Sequence, residues 1–235
     1  MPFPGAESIK GLSIDLDNTL WDVMPTLVAA EAALERWLQA HCPAALNHYQ
    51  PETTTAIRDG LVARYPQRAH DLSFLRRSVL EQVFERAGED AALAQPAFDV
   101  FFAARNRVTL YADVLPALTR LADRYVLVAL TDGNADLCLI GLDGHFDYYI
   151  NAVSVGAAKP AAGMFAAVQS YTELQPSEIL HIGDDPRKDV AGANQFGMRS
   201  VWVNRTGASW TDPDTRPDAE VENLDALADR LLGPA

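Results

Sequence analysis

The sequence predicts an α/β fold: a parallel sheet with helical crossovers, interrupted after its first strand by an inserted helical domain. Three observations carry this reading. From residue 111 onward, short apolar runs alternate with helical patterns, the texture of strands joined by crossovers. Within that region Tyr125-Val126-Leu127-Val128-Ala129-Leu130 is an unbroken apolar run, as expected of a strand buried on both faces. Between the first strand and this run lie roughly 90 residues of mainly helical pattern, too long for a plain crossover.

The elements follow in order. Residues 8–16 read as the first strand. Residues 24–40 read as an amphipathic helix, with Leu27, Ala30, Leu34 and Leu38 recurring at steps of three and four. Residues 52–107 continue in helical pattern, punctuated by Pro66 and Gly88. After the 125–130 strand, residues 150–155 read as a further short strand. Pro160 opens a helix through Phe165, Val168 and Tyr171, since proline suits a first helical turn. Residues 179–182 and 201–203 read as strands, and residues 190–196 as a helix stopped by Gly197. Residues 209–216 form a polar loop before a last helix at 224–232. The predicted domains are a core of residues 1–20 and 111–235 and a helical insert of residues 21–110, expected above the carboxyl edge of the sheet, where α/β proteins bind ligands.

The composition narrows the function. Of 235 residues, 49% are apolar and 22% charged, an ordinary globular balance. The net charge of −13 argues against a nucleic-acid or membrane-surface binder, which needs a basic face. No stretch is long and apolar enough to span a bilayer, and Met1-Pro2-Phe3-Pro4-Gly5 has no export-signal pattern. Cys42 and Cys138 lie far apart without metal-type spacing and read as reduced thiols of a cytoplasmic protein.

Chemistry concentrates where apolar runs end. Asp15 and Asp17 close the first strand, two residues apart and so on one side of an extended chain. Thr131-Asp132-Gly133-Asn134 closes the second, Lys159 precedes Pro160, and Gly183-Asp184-Asp185 with Asp189 follows the 179–182 strand. In a parallel sheet these ends share one edge. Several acids then converge with one amine and one hydroxyl, and a hard cation with oxygen ligands, Mg²⁺, would offset them. Lys159 would pair with a carboxylate nucleophile and a phosphate oxygen. The chain has three lysines (Lys10, Lys159, Lys188), which makes this position more pointed. Thr131 and the backbone N–H groups of 132–134 would donate to phosphate oxygens.

These four motifs, in this order, resemble the haloacid dehalogenase (HAD) superfamily of aspartate-nucleophile phosphatases, and the helical insert resembles its cap. The resemblance implies a Rossmann-like core and assigns roles. Asp15 corresponds to the nucleophile. Asp17 corresponds to the general acid/base, with its backbone carbonyl on the metal. Thr131 and Lys159 correspond to the phosphate binders, and Asp184 to the acidic metal ligand. Asp185 and Asp189 fall in the acidic cluster around it, one of them supporting the metal or the lysine. Asp-Leu-Asp-Asn-Thr-Leu-Trp-Asp (15–22), the Thr-x-Gly-Asn-Ala pattern (131–135), Gly141-Leu142 with His145-Phe146, and His181-Ile-Gly-Asp-Asp are further similar to bacterial phosphatases acting on FMN and on the phosphorylated ribitylamino-uracil of riboflavin synthesis. Asp132 departs from that subgroup, which usually has Asn there; a carboxylate beside phosphate is unfavourable unless it points away.

Each residue also has a plainer reading. Thr131 to Asn134 could be a capped turn, Asp189 a helix cap, His181 a packed core residue, and Arg76 and Arg77 solvated helix residues. Trp21 is open between packing and an aromatic wall beside the substrate. The function expected is a Mg²⁺-dependent phosphomonoesterase acting on a small phosphorylated metabolite, as a monomer or homodimer. The alternatives are a phosphatase for nucleoside monophosphates or sugar phosphates, a 2-haloacid dehalogenase, whose family lacks the second aspartate, and a non-catalytic phosphate-binding protein.

Overall fold

The computed structural model describes Phe3 and residues 5–234. Met1, Pro2 and Pro4 of the N-terminal stretch, and the last residue of the expected core, lie outside that description. The chain divides into two compact units: Met1–Asp22, Thr109–Gly133 and Gly141–Ala235 form one, and Val23–Val108 with Asn134–Ile140 the other.

The first unit is built on a six-stranded parallel sheet: β1 (Gly11–Ile14), β2 (Val126–Thr131), β3 (Tyr148–Asn151), β4 (Ile179–Gly183), β5 (Arg199–Val203) and β6 (Ala219–Val221). The spatial order is β3-β2-β1-β4-β5-β6. From β1 the chain builds outward through β2 to β3, then crosses back to β4 on the other side of β1, so the strand order reverses at β1, where open α/β sheets bind ligands. All four residues of β1 are buried, as its central place demands.

The second unit holds α1 (Val23–His41), α2 (Pro51–Arg64), α3 (Leu72–Arg86) and α4 (Ala94–Arg105). Thr26, Ala30, Leu34 and Leu38 are the buried stripe of α1; Leu27 is half-buried beside it. Ala30, Leu34 and Leu38 join Leu75, Leu80, Val83, Phe84, Ala97 and Phe101 in a separate hydrophobic core. Asp71 caps α3, its Oδ1 accepting from the Phe74 N–H at 2.8 Å. Arg76 is not a solvated helix residue. It pairs with Glu31 at 2.7 Å, donates to the Tyr49 hydroxyl at 3.0 Å and lies 3.7 Å over the Phe101 ring. These groups border a cavity of about 540 Å³ lined by α1, α2, α3 and α4 residues.

The remaining helices are α5 (Val114–Ala122), α6 (Leu137–Ile140), α7 (Ala152–Val155), α8 (Ala162–Thr172), α9 (Gly192–Phe196) and α10 (Leu224–Leu232). Val114, Ala117, Leu118 and Leu121 give α5 one apolar face, and Leu224, Leu227, Ala228 and Leu231 do the same for α10. No helix among the described residues is long and apolar enough to cross a membrane.

Three sequence expectations change. Residues 152–155 are helical rather than extended, because Asn151 and Ser154 form a reciprocal cap that ends β3. The helix expected from Pro160 begins at Ala162. The Lys159 N–H donates to Asp132 Oδ1 at 2.7 Å and the Ala161 N–H to Ala158 O at 2.9 Å, which commits residues 158–161 to a turn. Residues 134–140 pack with the helical unit rather than with the core in which the sequence placed them.

Candidate active site

β1, β2 and β4 are neighbours, so the residues that follow their carboxyl ends meet at one edge. Asp15 stands at the end of β1, its N–H donating to Ile182 O of β4 at 2.8 Å. The loop then turns sharply. Asn18 takes a left-handed φ of 63°, a conformation asparagine tolerates, and its N–H donates to Trp21 O at 2.7 Å. Trp21 bridges both Asp17 and Leu110. Arg205 clamps the loop from outside, donating to Thr19 O at 2.9 Å while its guanidinium grips Asp113 through two hydrogen bonds.

Lys159 is buried and its ammonium has three acceptors: Asp15 Oδ1 at 2.5 Å, Asp189 Oδ1 at 2.7 Å and Leu130 O at 3.2 Å. Three donors thus meet three acceptors. Burial alone would lower the ammonium's pKa; the carboxylates of Asp15, Asp189 and Asp132 outweigh it and hold lysine above its usual range. Asp189, itself 1% exposed, is held below the usual carboxylate range: burial opposes its charge, but Lys159 and the His181 hydrogen bond prevail. The plain reading of Asp189 as a helix cap is overturned: it lies inside the turn Pro186–Ala191, whose cap is Asp185, and one of its oxygens belongs to the lysine. That carboxylate also dictates Gly183: any Cβ there would collide with it.

Asp15, Asp184 and Asp189 each bring a carboxylate oxygen within 4.8 Å of the others and could hold a metal ion. Burial, and then the charges of Asp189 and its neighbours, push Asp184 up to about 6. Burial likewise raises Asp15, with Lys159 pulling the other way. A cation would relieve that repulsion, so the donor set fits a hard, oxygen-seeking metal. Both Asp189 oxygens already accept N–H donors, Oδ1 from Lys159 and His181 and Oδ2 from the Asp185 N–H at 2.9 Å. Asp15 Oδ2 and Asp184 Oδ1 face only the Thr19 hydroxyl, at 3.5 and 3.4 Å, among the hydrogen bonds described, and would be freer to take a metal. Asp185 faces elsewhere, its Oδ1 accepting from Arg187 and Lys188 N–H to start the π-helical turn Pro186–Ala191.

The remaining predicted residues divide. Thr131 is buried and its Oγ1 accepts from the Gly133 N–H at 2.9 Å, a small side-chain turn at the end of β2. Asp132 points away from the strand end, toward the Lys159 N–H and, at 3.5 Å, the Lys188 ammonium, which answers the concern its charge raised. Asn134 belongs to the helical unit, bonded to Ser73 Oγ and Arg105 Nε. Trp21 is a correction. It is 0% exposed, and its indole N–H donates to Asp17 Oδ1 at 2.9 Å, so its ring is no wall for a substrate. Sequence reasoning gave no role to Thr19, buried with its hydroxyl 3.4 Å from Asp184 and 3.5 Å from Asp15, nor to Trp202, whose indole N–H fixes the Asp184 carbonyl at 2.8 Å. Thr19 sits inside the first motif, where position alone could have flagged it; Trp202 carries no local signal.

Residues 9–197 match the family model of haloacid dehalogenase-like hydrolases. The chain belongs to this family. It is 32% identical to the 5-amino-6-(5-phospho-D-ribitylamino)uracil phosphatase YigB of Escherichia coli over 226 residues, 93% of this chain and 94% of that protein. It is also 34% identical over 155 residues to the phosphoserine phosphatase of Thermus thermophilus, covering 63% and 62% of the two chains. Among solved structures, the 2-haloacid dehalogenase of Pseudomonas syringae pv. Tomato superposes with a TM-score of 0.91 at 38% identity, over 95% of this chain and 98% of that one. With phosphatases among its relatives and an acidic cluster fit for a metal, the chain is a phosphatase-type enzyme of the HAD family.

Proposed function

We propose that the enzyme is a Mg²⁺-dependent phosphomonoesterase that works through an aspartyl-phosphate on Asp15. The observation that carries this is the buried Lys159 ammonium bonded at once to Asp15 and Asp189, with Asp184 beside them. Lys159 fixes the nucleophilic carboxylate in place. Asp15 attacks phosphorus, and an O–P bond forms as the bond to the leaving alcohol breaks. Asp17 gives that alcohol its proton, then takes one from the water that cleaves the aspartyl-phosphate. Thr131, whose Oγ1 already accepts from Gly133, has a hydroxyl hydrogen to direct at a phosphate oxygen. Mg²⁺ bound by Asp15 and Asp184, with the Asp17 backbone carbonyl, would neutralise charge developing on the transferred group.

The substrate class is a small phosphorylated metabolite with a ribityl chain, either FMN or the phosphorylated ribitylamino-uracil. The support is the motif likeness and the relative from E. coli that spans nearly the whole chain. Cys42 and Cys138, both thiols, favour the cytoplasm as its compartment. A second reading, 2-haloacid dehalogenase, is favoured by the name of the Pseudomonas syringae structure. Asp17 and the acidic cluster around Asp184 speak for phosphate chemistry instead.

One assay separates these. The protein is stripped with EDTA and offered FMN, nucleoside monophosphates, sugar phosphates and 2-chloropropionate, with and without Mg²⁺. Phosphate release from FMN that returns only with Mg²⁺ supports the proposal. Chloride release that ignores EDTA would establish the dehalogenase reading, and activity confined to sugar phosphates or nucleotides would reject the ribityl substrate alone.

A further inference from the structure

We propose that Ser13 and His181 form a positioning relay that fixes the Lys159 ammonium against Asp15. The inference rests on the catalytic reading above and extends it to two residues with no direct part in the chemistry. Ser13 and His181 are register partners on β1 and β4, and both are 0% exposed. The imidazole is bonded at both nitrogens: Nδ1 lies 3.0 Å from Ser13 Oγ and Nε2 3.1 Å from Asp189 Oδ1. An ionised carboxylate only accepts, so Nε2 carries the proton and Nδ1 accepts from the serine hydroxyl. Burial holds the imidazole below its usual range against the pull of Asp189, consistent with a neutral ring in that tautomer.

The reason to assign a role is what the site would do without it. His181 stands between Leu180 and Ile182 in a fully buried strand, where a leucine would pack without the cost of burying two polar nitrogens. Its ring packs edge-on against Phe165, with ring centroids 5.4 Å apart. The polar atoms serve Asp189. One Asp189 oxygen is anchored by the Asp185 N–H, the other by His181, and the second also takes Lys159. A lysine stem has four rotatable bonds, so the direction of its ammonium is set by its acceptors. Removing the His181 donor frees the carboxylate to turn, and Lys159 turns with it, away from Asp15. Because all three ammonium hydrogens already have protein acceptors, the loss falls on the nucleophile's placement rather than on substrate affinity.

The test compares His181→Leu, His181→Gln and Ser13→Ala on p-nitrophenyl phosphate at saturating Mg²⁺, with thermal denaturation alongside. His181→Leu should lower kcat by about 10–100-fold, the range for partners that orient a catalytic ligand, while KM changes little. His181→Gln places an amide N–H at the reach of Nε2 and should recover most of kcat, a rescue that lost packing would not give. Ser13→Ala removes the tautomer lock and should fall between. An unchanged kcat in folded His181→Leu, or equal loss in His181→Gln, overturns the relay; if His181→Leu does not fold, an unchanged kcat in Ser13→Ala does so. If the wild type hydrolyses no phosphate ester, the catalytic reading fails, and the relay is decided by NMR. The buried Lys159 ammonium should give a slowly exchanging signal in the wild type that vanishes in His181→Leu, weakens in Ser13→Ala and persists in His181→Gln; a signal unchanged in all three overturns it.

Discussion

The Lys159 ammonium donates to Asp189 Oδ1 at 2.7 Å, and both side chains are about 2% exposed. Ion pairs this dry carry a large desolvation cost, and removing one partner strands the other. Here Lys159 would keep Asp15 as its one close carboxylate partner and lose the other.

Asp189→Asn therefore keeps the shape and removes the charge. It should lower the unfolding free energy by about 1–3 kcal/mol in urea denaturation and lower kcat together with it. A variant as stable and as active as wild type would show that Asp189 is dispensable to the lysine.

Trp21→Phe tests the corrected role of that residue. The ring stays, and the hydrogen bond to Asp17 is lost. Because Trp21 is buried rather than facing a substrate, kcat should fall by the same factor on FMN and on p-nitrophenyl phosphate. A rise in KM confined to FMN would restore the aromatic-wall reading.

Asp113 links stability to pH. Burial alone would raise its pKa, but Arg205 and the Leu224 N–H at 2.7 Å hold it below the usual carboxylate range. Such a group stabilises the fold above the unfolded-state value of about 3.9 and loses that contribution as pH falls through the lower folded value. Asp113→Asn should cost about 1–3 kcal/mol at about pH 7 and narrow the stability difference from wild type in strong acid. A gap that stays constant down to about pH 2 would contradict the pairing.

Much of this architecture is legible in the sequence because its signals are local. Runs such as 125–130 and 179–182 announce central strands, and Asp15, Lys159 and Asp184 announce themselves by standing where those runs end or a helix is about to begin. What the sequence hides depends on contacts across strands or on a competing cap. Strand β6 is three residues long, with no apolar run to mark it. Asn151 looks like a strand residue until Ser154 answers it. Trp21 follows a catalytic motif and invites a substrate role, and only its burial shows that its indole serves Asp17. His181 reads as a core residue, which it is; its hydrogen-bonded link to Lys159 runs through Asp189, eight residues on along the chain.

The central claim is that Asp15 carries the phosphoryl group. Acid-quenching the wild type during turnover of p-nitrophenyl phosphate with Mg²⁺, followed by digestion and mass spectrometry, reads this directly. The account predicts one phosphate on the peptide containing Asp15, absent from Asp15→Asn, which should be folded and inactive. Turnover at the wild-type rate by Asp15→Asn, or steady hydrolysis with no phosphate ever trapped on that peptide, would contradict it.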